Sequence, residues 1–311
     1  MSDLILHHYA SSPFAEKARL LMGFKGLAWR SVTVPMVLPK PDVAALTGGY
    51  RRTPFLQIGA DIYCDTALIA ALLEARQPSP SLYPEAQAAQ AKVLAQWADS
   101  ELFWTALPYA MQPAGVAALF AGVPAEVVQA FAADRRRMSE GTPRKSGADA
   151  AAALGQYLDW LSAMLADGRP WLLGAQASIA DLSVYHPLWF LQRTGPLADI
   201  LGPHQALRTW MARVSDLGHG ERAGKLEATE AIAIARAATP VATQVQPGLG
   251  FVAGQRVSVT PADYARDAVL GELVGLDGHS VTLAREDERA GRVQVHFPRI
   301  GYAIKKEETR A

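Results

Sequence analysis

Arg51-Arg52-Thr53-Pro54-Phe55-Leu56-Gln57-Ile58-Gly59-Ala60-Asp61-Ile62-Tyr63-Cys64-Asp65-Thr66-Ala67-Leu68-Ile69-Ala70-Ala71 is the stretch on which the fold turns. Residues 55–58 form a short apolar run, Gly59-Ala60-Asp61 is a turn, and residues 62–64 form a second run, so a hairpin is predicted. Asp65 and Thr66 then precede the Ala/Leu-rich segment 67–73, whose composition suits a helix. An Asp-Thr pair at a helix start presents a carboxylate, a hydroxyl and unpaired backbone N–H groups in one direction. Such a set suits a zwitterion: the N–H groups and Thr66 take its carboxylate, and Asp65 takes its ammonium. Thr53-Pro54, just ahead of the first strand, removes a ladder donor and leaves the Thr53 backbone open to an extended peptide ligand. Taken singly, Asp65 is an ordinary helix cap and Pro54 an ordinary loop end. Their spacing, with what precedes them, points to a binding site.

What precedes them is Leu4-Ile5-Leu6-His7-His8-Tyr9-Ala10-Ser11-Ser12-Pro13-Phe14-Ala15-Glu16-Lys17-Ala18-Arg19. Ser12 is the predicted N-cap and Pro13 the first helical residue, a favoured arrangement. Strand, Ser-Pro-Phe-x-x-Lys-x-Arg helix start, second strand, x-Pro-x-Leu, then an acidic residue followed by Thr: this order resembles the N-terminal half of a glutathione transferase. The ordered motifs span residues 4–76, and a weaker likeness continues to residue 238.

The resemblance implies an α/β thioredoxin-like glutathione-binding domain over residues 1–78 and an all-α helical domain over 85–238. It implies glutathione as co-substrate and a serine-type site, in which Ser12 meets the glutathione sulfur. Ser11 is the second candidate, because some serine-type members use a slightly earlier serine; position alone also allows Ser12 to be a cap and nothing more. Arg52 carries over as the partner of the glycyl carboxylate, Thr53 and Pro54 as the backbone clamp for the cysteinyl part, and Asp65 and Thr66 as the cap that holds glutathione's charged end. Phe14, Trp104 and Tyr109 carry over to the acceptor pocket. The implied activity is conjugation of the glutathione thiolate to a small hydrophobic electrophile, in a cytoplasmic, detoxifying homodimer. A glutathione-dependent isomerase or dehalogenase shares the serine-type site. A non-catalytic binding protein that kept the scaffold and uses its C-terminal segment for a partner is the reading from another class.

Length and composition set the frame for these expectations. The chain has 311 residues, half of them hydrophobic and 19% charged, so it predicts a globular protein of two or three domains. Thirty basic residues balance thirty acidic ones, which argues against a nucleic-acid or acidic-membrane binder. No stretch reads as a signal peptide, and no apolar run is long enough to span a bilayer. The lone cysteine, Cys64, excludes an internal disulfide and a Cys-x-x-Cys centre, and its place on a strand predicts a buried structural thiol. The seven histidines have no Cys or carboxylate at ligand spacing, and His7 and His8 fall on opposite faces of a strand, so no metal site is expected.

Further along, Pro35, Pro39 and Pro41 predict that residues 35–50 are mostly loop with at best a short helix. Residues 77–84 are a linker by composition. Helices are predicted over 85–107, ending at Pro108, and over 125–139, 148–166, 182–191, 207–217 and 226–238. Arg135-Arg136-Arg137 reads as a solvated helix face, and residues 141–147, with Arg144 and Lys145, as a flexible basic turn. Ser178-Ile179-Ala180-Asp181 is a Ser-x-x-acid capping box, which assigns Asp181 a structural rather than catalytic role. From residue 241 the period changes to two. Short strands are predicted at 256–260, 270–276, 280–283, 292–297 and 301–304, with Asp277-Gly278 as the strongest hairpin signal. They predict a small all-β, barrel-like module over residues 245–311. Nine basic residues balance nine acidic ones from residue 241 onward, so a packing or lid role is expected of this module rather than nucleic-acid binding.

Overall fold

The computed structural model describes residues 3–143 and 145–307. Met1 and Ser2, Arg144 of the basic turn, and Glu308 and Arg310 of the charge count lie outside the described residues. The first quarter of the chain mixes strands and helices: β1 (Ile5–His8), α1 (Pro13–Phe24), β2 (Ala28–Thr33), α2 (Pro41–Thr47), β3 (Phe55–Ile58), β4 (Asp61–Cys64) and α3 (Thr66–Arg76). β1 runs parallel to β2 and antiparallel to β3, and β3 pairs antiparallel with β4, giving the thioredoxin-like order β4-β3-β1-β2. α2 is the short helix allowed between the prolines; it stops at Gly48, whose φ of 75° is a left-handed cap that glycine adopts without strain.

The helical layer follows as α4 (Ala88–Trp97), α5 (Phe103–Ala110), α6 (Pro113–Leu119), α7 (Ala125–Met138), α8 (Gly147–Met164), α9 (Ile179–Leu191) and α10 (Gln205–Ser215). Two expectations need correction. Pro108 does not end its helix: α5 runs on to Ala110, although a proline inside a helix forfeits its own N–H bond and crowds the carbonyl four residues back. Arg135 is not on a solvated face. It turns inward to Asp134 (2.7 Å) and to the Met36 carbonyl (3.0 Å), while Arg136 and Arg137 stay exposed. Between α4 and α5, residues 98–102 form a π-helical turn with no counterpart in the sequence pattern. Leu6, Leu21, Ile69, Leu73, Leu158, Leu182 and Trp210 share the core between this layer and the α1–α3 face of the sheet.

The chain then returns to the sheet at both edges. β5 (Glu221–Leu226) pairs parallel with β2, and α11 (Ala228–Ala237) follows. The strands β6 (Arg256–Pro261), β7 (Val269–Leu276), β8 (Ser280–Asp287), β9 (Gly291–Pro298) and β10 (Tyr302–Lys306) pair antiparallel in the order β10-β6-β7-β8-β9. β9 pairs parallel with β4, so all ten strands belong to one sheet. A second core joins Leu46, Tyr50, Phe55 and Ile62 of the thioredoxin-like part to Ile232 of α11 and to Val257, Leu273, Val295 and Phe297. The C-terminal strands therefore cover a face and an edge of the first domain.

Candidate functional site

Strand register brings the Ser12, Thr53-Pro54 and Asp65-Thr66 segments to one end of the sheet. His7 on β1 faces Phe55 on β3, and Phe55 faces Cys64 on β4. The chain leaves this row at three places: forward from β1 toward Ser12, backward from β3 into Thr53-Pro54, and forward from β4 into Asp65-Thr66. The N-termini of α1 and α3 thus meet the Thr53-Pro54 loop at the same end of the sheet.

Ser12 is buried at 2% exposure and caps α1: its Oγ accepts a hydrogen bond from the Ala15 N–H at 3.2 Å. Accepting leaves the hydroxyl proton available for donation. Ser11 is exposed, and its Oγ lies 3.8 Å from the Met36 sulfur. Arg19, the last residue of the helix-start motif, donates to the Ala10 carbonyl (3.1 Å) and to Glu16 (2.5 Å), which fixes the loop that delivers both serines.

Thr53-Pro54 is a cis peptide. The Thr53 Oγ1 and the Arg52 Nε are buried without a hydrogen-bond partner among the described residues. Asp65 holds φ at 79°, a left-handed conformation that an L-residue other than glycine adopts at a cost. One of its carboxylate oxygens accepts from the Ala67 N–H at 2.9 Å, and the other accepts from the Tyr302 hydroxyl at 3.1 Å. Burial raises the Asp65 pKa; the Ala67 N–H and the nearby Arg52 and Lys17 oppose the shift, and Asp99 adds to it. Thr66 is buried beside it.

The Arg52 guanidinium is held by the C-terminal module through its Nη2. It donates to the Asp263 carboxylate and the Tyr264 carbonyl, and stacks 4.2 Å over the Tyr264 ring and 5.9 Å from that of Tyr302. Arg51 pairs with Asp134 at 2.7 Å and reaches Asp267 at 3.7 Å. On the helical side the Trp104 ring meets the Tyr264 ring at 4.8 Å, and the Phe14 ring lies 4.6 Å from Phe103 and from His186. Tyr109 instead donates to the Leu197 carbonyl at 3.2 Å. Cys64 is fully buried, and burial pushes its thiol pKa well above the ordinary value.

Sequence reasoning missed two groups. One is a buried cluster beneath Phe14: Asp99 on the π-helical turn bonds Lys17 and, at 3.0 Å, the Nε2 of His186. Burial alone disfavours the Asp99 charge, but Lys17 and the His186 bond outweigh it and lower its pKa; burial lowers that of His186. The motif lysine was visible in the sequence, but its partner was not. The other group is Asp263, Tyr264 and Tyr302, which reach Arg52 and Asp65 from more than 200 residues away in the chain. Among the described residues no group of three or more His, Cys, Asp or Glu could hold a metal, and no helix is long and apolar enough to cross a membrane.

Comparison with known proteins bears on the whole chain. Residues 6–81 match the glutathione S-transferase N-terminal domain, and residues 117–213 match the glutathione S-transferase C-terminal domain. A GST-like protein from Pseudomonas syringae is 43% identical over 99% of this chain and 100% of that one, with a TM-score of 0.80. That match includes the C-terminal strands. A glutathione S-transferase from Rhodospirillum rubrum F11 shares the fold at 21% identity over 68% of this chain and 87% of its own, with a TM-score of 0.52. The beta-etherase LigF from Sphingobium sp. strain SYK-6 does so at 19% identity over 69% of this chain and 95% of its own, with a TM-score of 0.53. Curated proteins gave no match.

Proposed function

Because the chain belongs to the glutathione transferase family, we propose that it binds glutathione at the shared edge of β1, β3 and β4 and activates its thiol for attack on a small hydrophobic electrophile. The observation that carries this reading is the convergence of a buried serine at a helix N-terminus, a cis Thr-Pro and an Asp-Thr cap on one edge. Asp65 and the N–H groups of α3 take the γ-glutamyl end, the Thr53 backbone takes the cysteinyl part, and Arg52 takes the glycyl carboxylate. Phe14 and Trp104 wall the acceptor side. Assembly as a homodimer and a cytoplasmic, detoxifying role complete the reading, supported by what is typical of the family.

Ser12 acts as a hydrogen-bond donor to the thiolate rather than as a nucleophile. No histidine lies within the Ser12 motif to serve as its base; His7 and His8 are tied to Gln57 and to Ser31 and Arg19. The thiol needs only to be held as thiolate. Lowering a cysteine-like pKa by two units takes about 2.7 kcal/mol. A hydroxyl bonded to a charged sulfur supplies about 1.5–3 kcal/mol, and the positive end of α1 adds about 0.3–1 kcal/mol. The two together suffice.

The test is Ser12→Ala, which should keep glutathione affinity within a few-fold while moving the bound thiol's titration upward in the pH–rate profile for a general electrophile. If Ser12→Ala reacts normally and Ser11→Ala is inactive, the role passes to Ser11. Full activity in both variants removes the hydroxyl model.

A further inference from the structure

Every ligand-facing charge at this site already has a partner from the C-terminal module. Arg52, assigned to a glycyl carboxylate, holds the carboxylate of Asp263. Arg51, next to it, faces Asp267. Asp65, assigned to an ammonium, accepts from the Tyr302 hydroxyl, which also meets the Tyr50 hydroxyl at 2.9 Å. These partners come from the β6–β7 connection and from the start of β10.

The segment 262–267, Ala-Asp-Tyr-Ala-Arg-Asp, lies across the opening between the two domains. On the helical side its Tyr264 ring meets Trp104, its Ala265 N–H donates to the Met138 carbonyl at 2.6 Å, and Arg266 donates to the Glu140 carbonyl at 2.9 Å. Thr142 donates to the Asp263 carbonyl at 3.1 Å. Ala265 is held at φ 45°, so the segment crosses under backbone strain, as does Asp65 opposite it. An acidic, tyrosine-bearing peptide therefore satisfies the anchors in the way a small anionic peptide would: carboxylates on the arginines and a donor on Asp65.

We propose that residues 262–267 and Tyr302 form a tethered strap that competes with glutathione for Arg52 and Asp65, so that ligand entry requires the strap to lift. The proposal rests on the reading of those two residues as glutathione anchors. It gives the module a regulatory place in the site, beyond its packing against the thioredoxin-like sheet. A competitor on the same chain lowers apparent affinity by the fraction of molecules in which it is released. Weakening it should raise affinity without any new contact to the ligand.

The experiment is calorimetric titration of glutathione into the full chain and into a chain carrying Asp263→Asn and Tyr302→Phe. The double variant should bind at least about ten-fold more tightly, since each change weakens or removes a hydrogen bond to a charged group. Adding Asp65→Ala should cancel that gain. Equal or weaker binding by the double variant, with Asp65→Ala still harmful in both backgrounds, overturns the strap and leaves the anchors standing. Glutathione binding that ignores Asp65→Ala, or no binding by any chain, overturns the anchors and the strap together. Amide exchange on the unmutated chain gives a readout that needs no variant. Saturating glutathione should speed exchange at Ala262 and Ala265, whose N–H groups donate to Gly301 and Met138. Unchanged or slower exchange overturns the proposal.

Discussion

At the scale of single residues, burial sets protonation states that pH can report. His7 is buried between Gln57, at 2.7 Å, and the Phe55 ring, and His8 donates to or accepts from Ser31 at 2.8 Å beside Arg19. Burial is the main cause that lowers both pKa values from 6.5 to about 4; for His8 the Arg19 charge adds to it. Both rings are therefore neutral in the folded chain at a pH where the unfolded chain protonates them. Between pH 6.5 and 4 the unfolded state binds more protons, so stability rises with pH across that window. Each ring's contribution, about 3 kcal/mol, is fully present above pH 6.5 and lost below pH 4. Thermal melts should fall steadily from pH 6.5 to 5.5, above the range in which the carboxylates with lowered pKa values, such as Glu16 and Asp99, begin to lose their contribution. His8→Gln should remove part of that slope; an unchanged slope would assign it elsewhere. The site itself was legible at this scale wherever a local pattern carried it. Ser12-Pro13, Thr53-Pro54 and Asp65-Thr66 announce a helix cap, a loop end and a second cap through neighbours in sequence, whereas Asp99 and His186 meet Lys17 only after two domains pack.

At the scale of elements, α9 is the clearest case of a side chain whose role is architectural. Asp181 accepts from the Ser178 N–H (2.9 Å), the Leu172 N–H (2.9 Å) and the Trp210 indole N–H (2.8 Å), tying the start of α9 to the preceding loop and to α10. Replacing it with Ala leaves three buried donors without acceptors, each worth about 1–3 kcal/mol. Asp181→Ala should therefore lose on the order of 3–5 kcal/mol in denaturant unfolding, while the folded fraction keeps the parent glutathione affinity. A stable Asp181→Ala chain with lost turnover would reverse the assignment. The capping box was readable because its two members lie three residues apart. So were the elements of the first domain and the five C-terminal strands, whose periods of 3.6 and two are local. β5 was not: its sequence, Glu-Arg-Ala-Gly-Lys-Leu, has no apolar alternation, and it exists because β2 offers an edge for parallel pairing. The π-helical turn at 98–102 is equally silent, since the extra residue changes no composition.

At the scale of the whole molecule, the question is what the C-terminal strands add to the two-domain scaffold that residues 6–81 and 117–213 match. The sequence separates this module by its change of period, and that part of the reading needs no long-range information. What no local pattern reveals is that β9 continues the sheet of the first domain through β4. His296 of β9 bonds Asp61 of β4 at 2.8 Å and stacks on Tyr63 at 4.4 Å, and the Phe297 ring lies 5.6 Å from Tyr50. A chain ending at Pro240 would leave β4 as a bare edge with unpaired N–H and C=O groups. It would also uncover Leu46, Tyr50, Phe55, Ile62 and Cys64, all now buried in the second core. At about 1.5–3 kcal/mol for each large side chain exposed, the loss rivals the roughly 5–15 kcal/mol that holds a whole domain together. The shortened chain should therefore be insoluble or melt far below the full chain, even though it contains every residue assigned to glutathione. Asp263→Asn with Tyr302→Phe, by contrast, should leave melting close to that of the parent, because those side chains contact the site and leave the β4–β9 ladder intact. Melting curves for the three chains separate the two roles of the module. A Pro240 chain as stable as the full one would mean that the first domain carries its own edge, and that the C-terminal strands serve only the site.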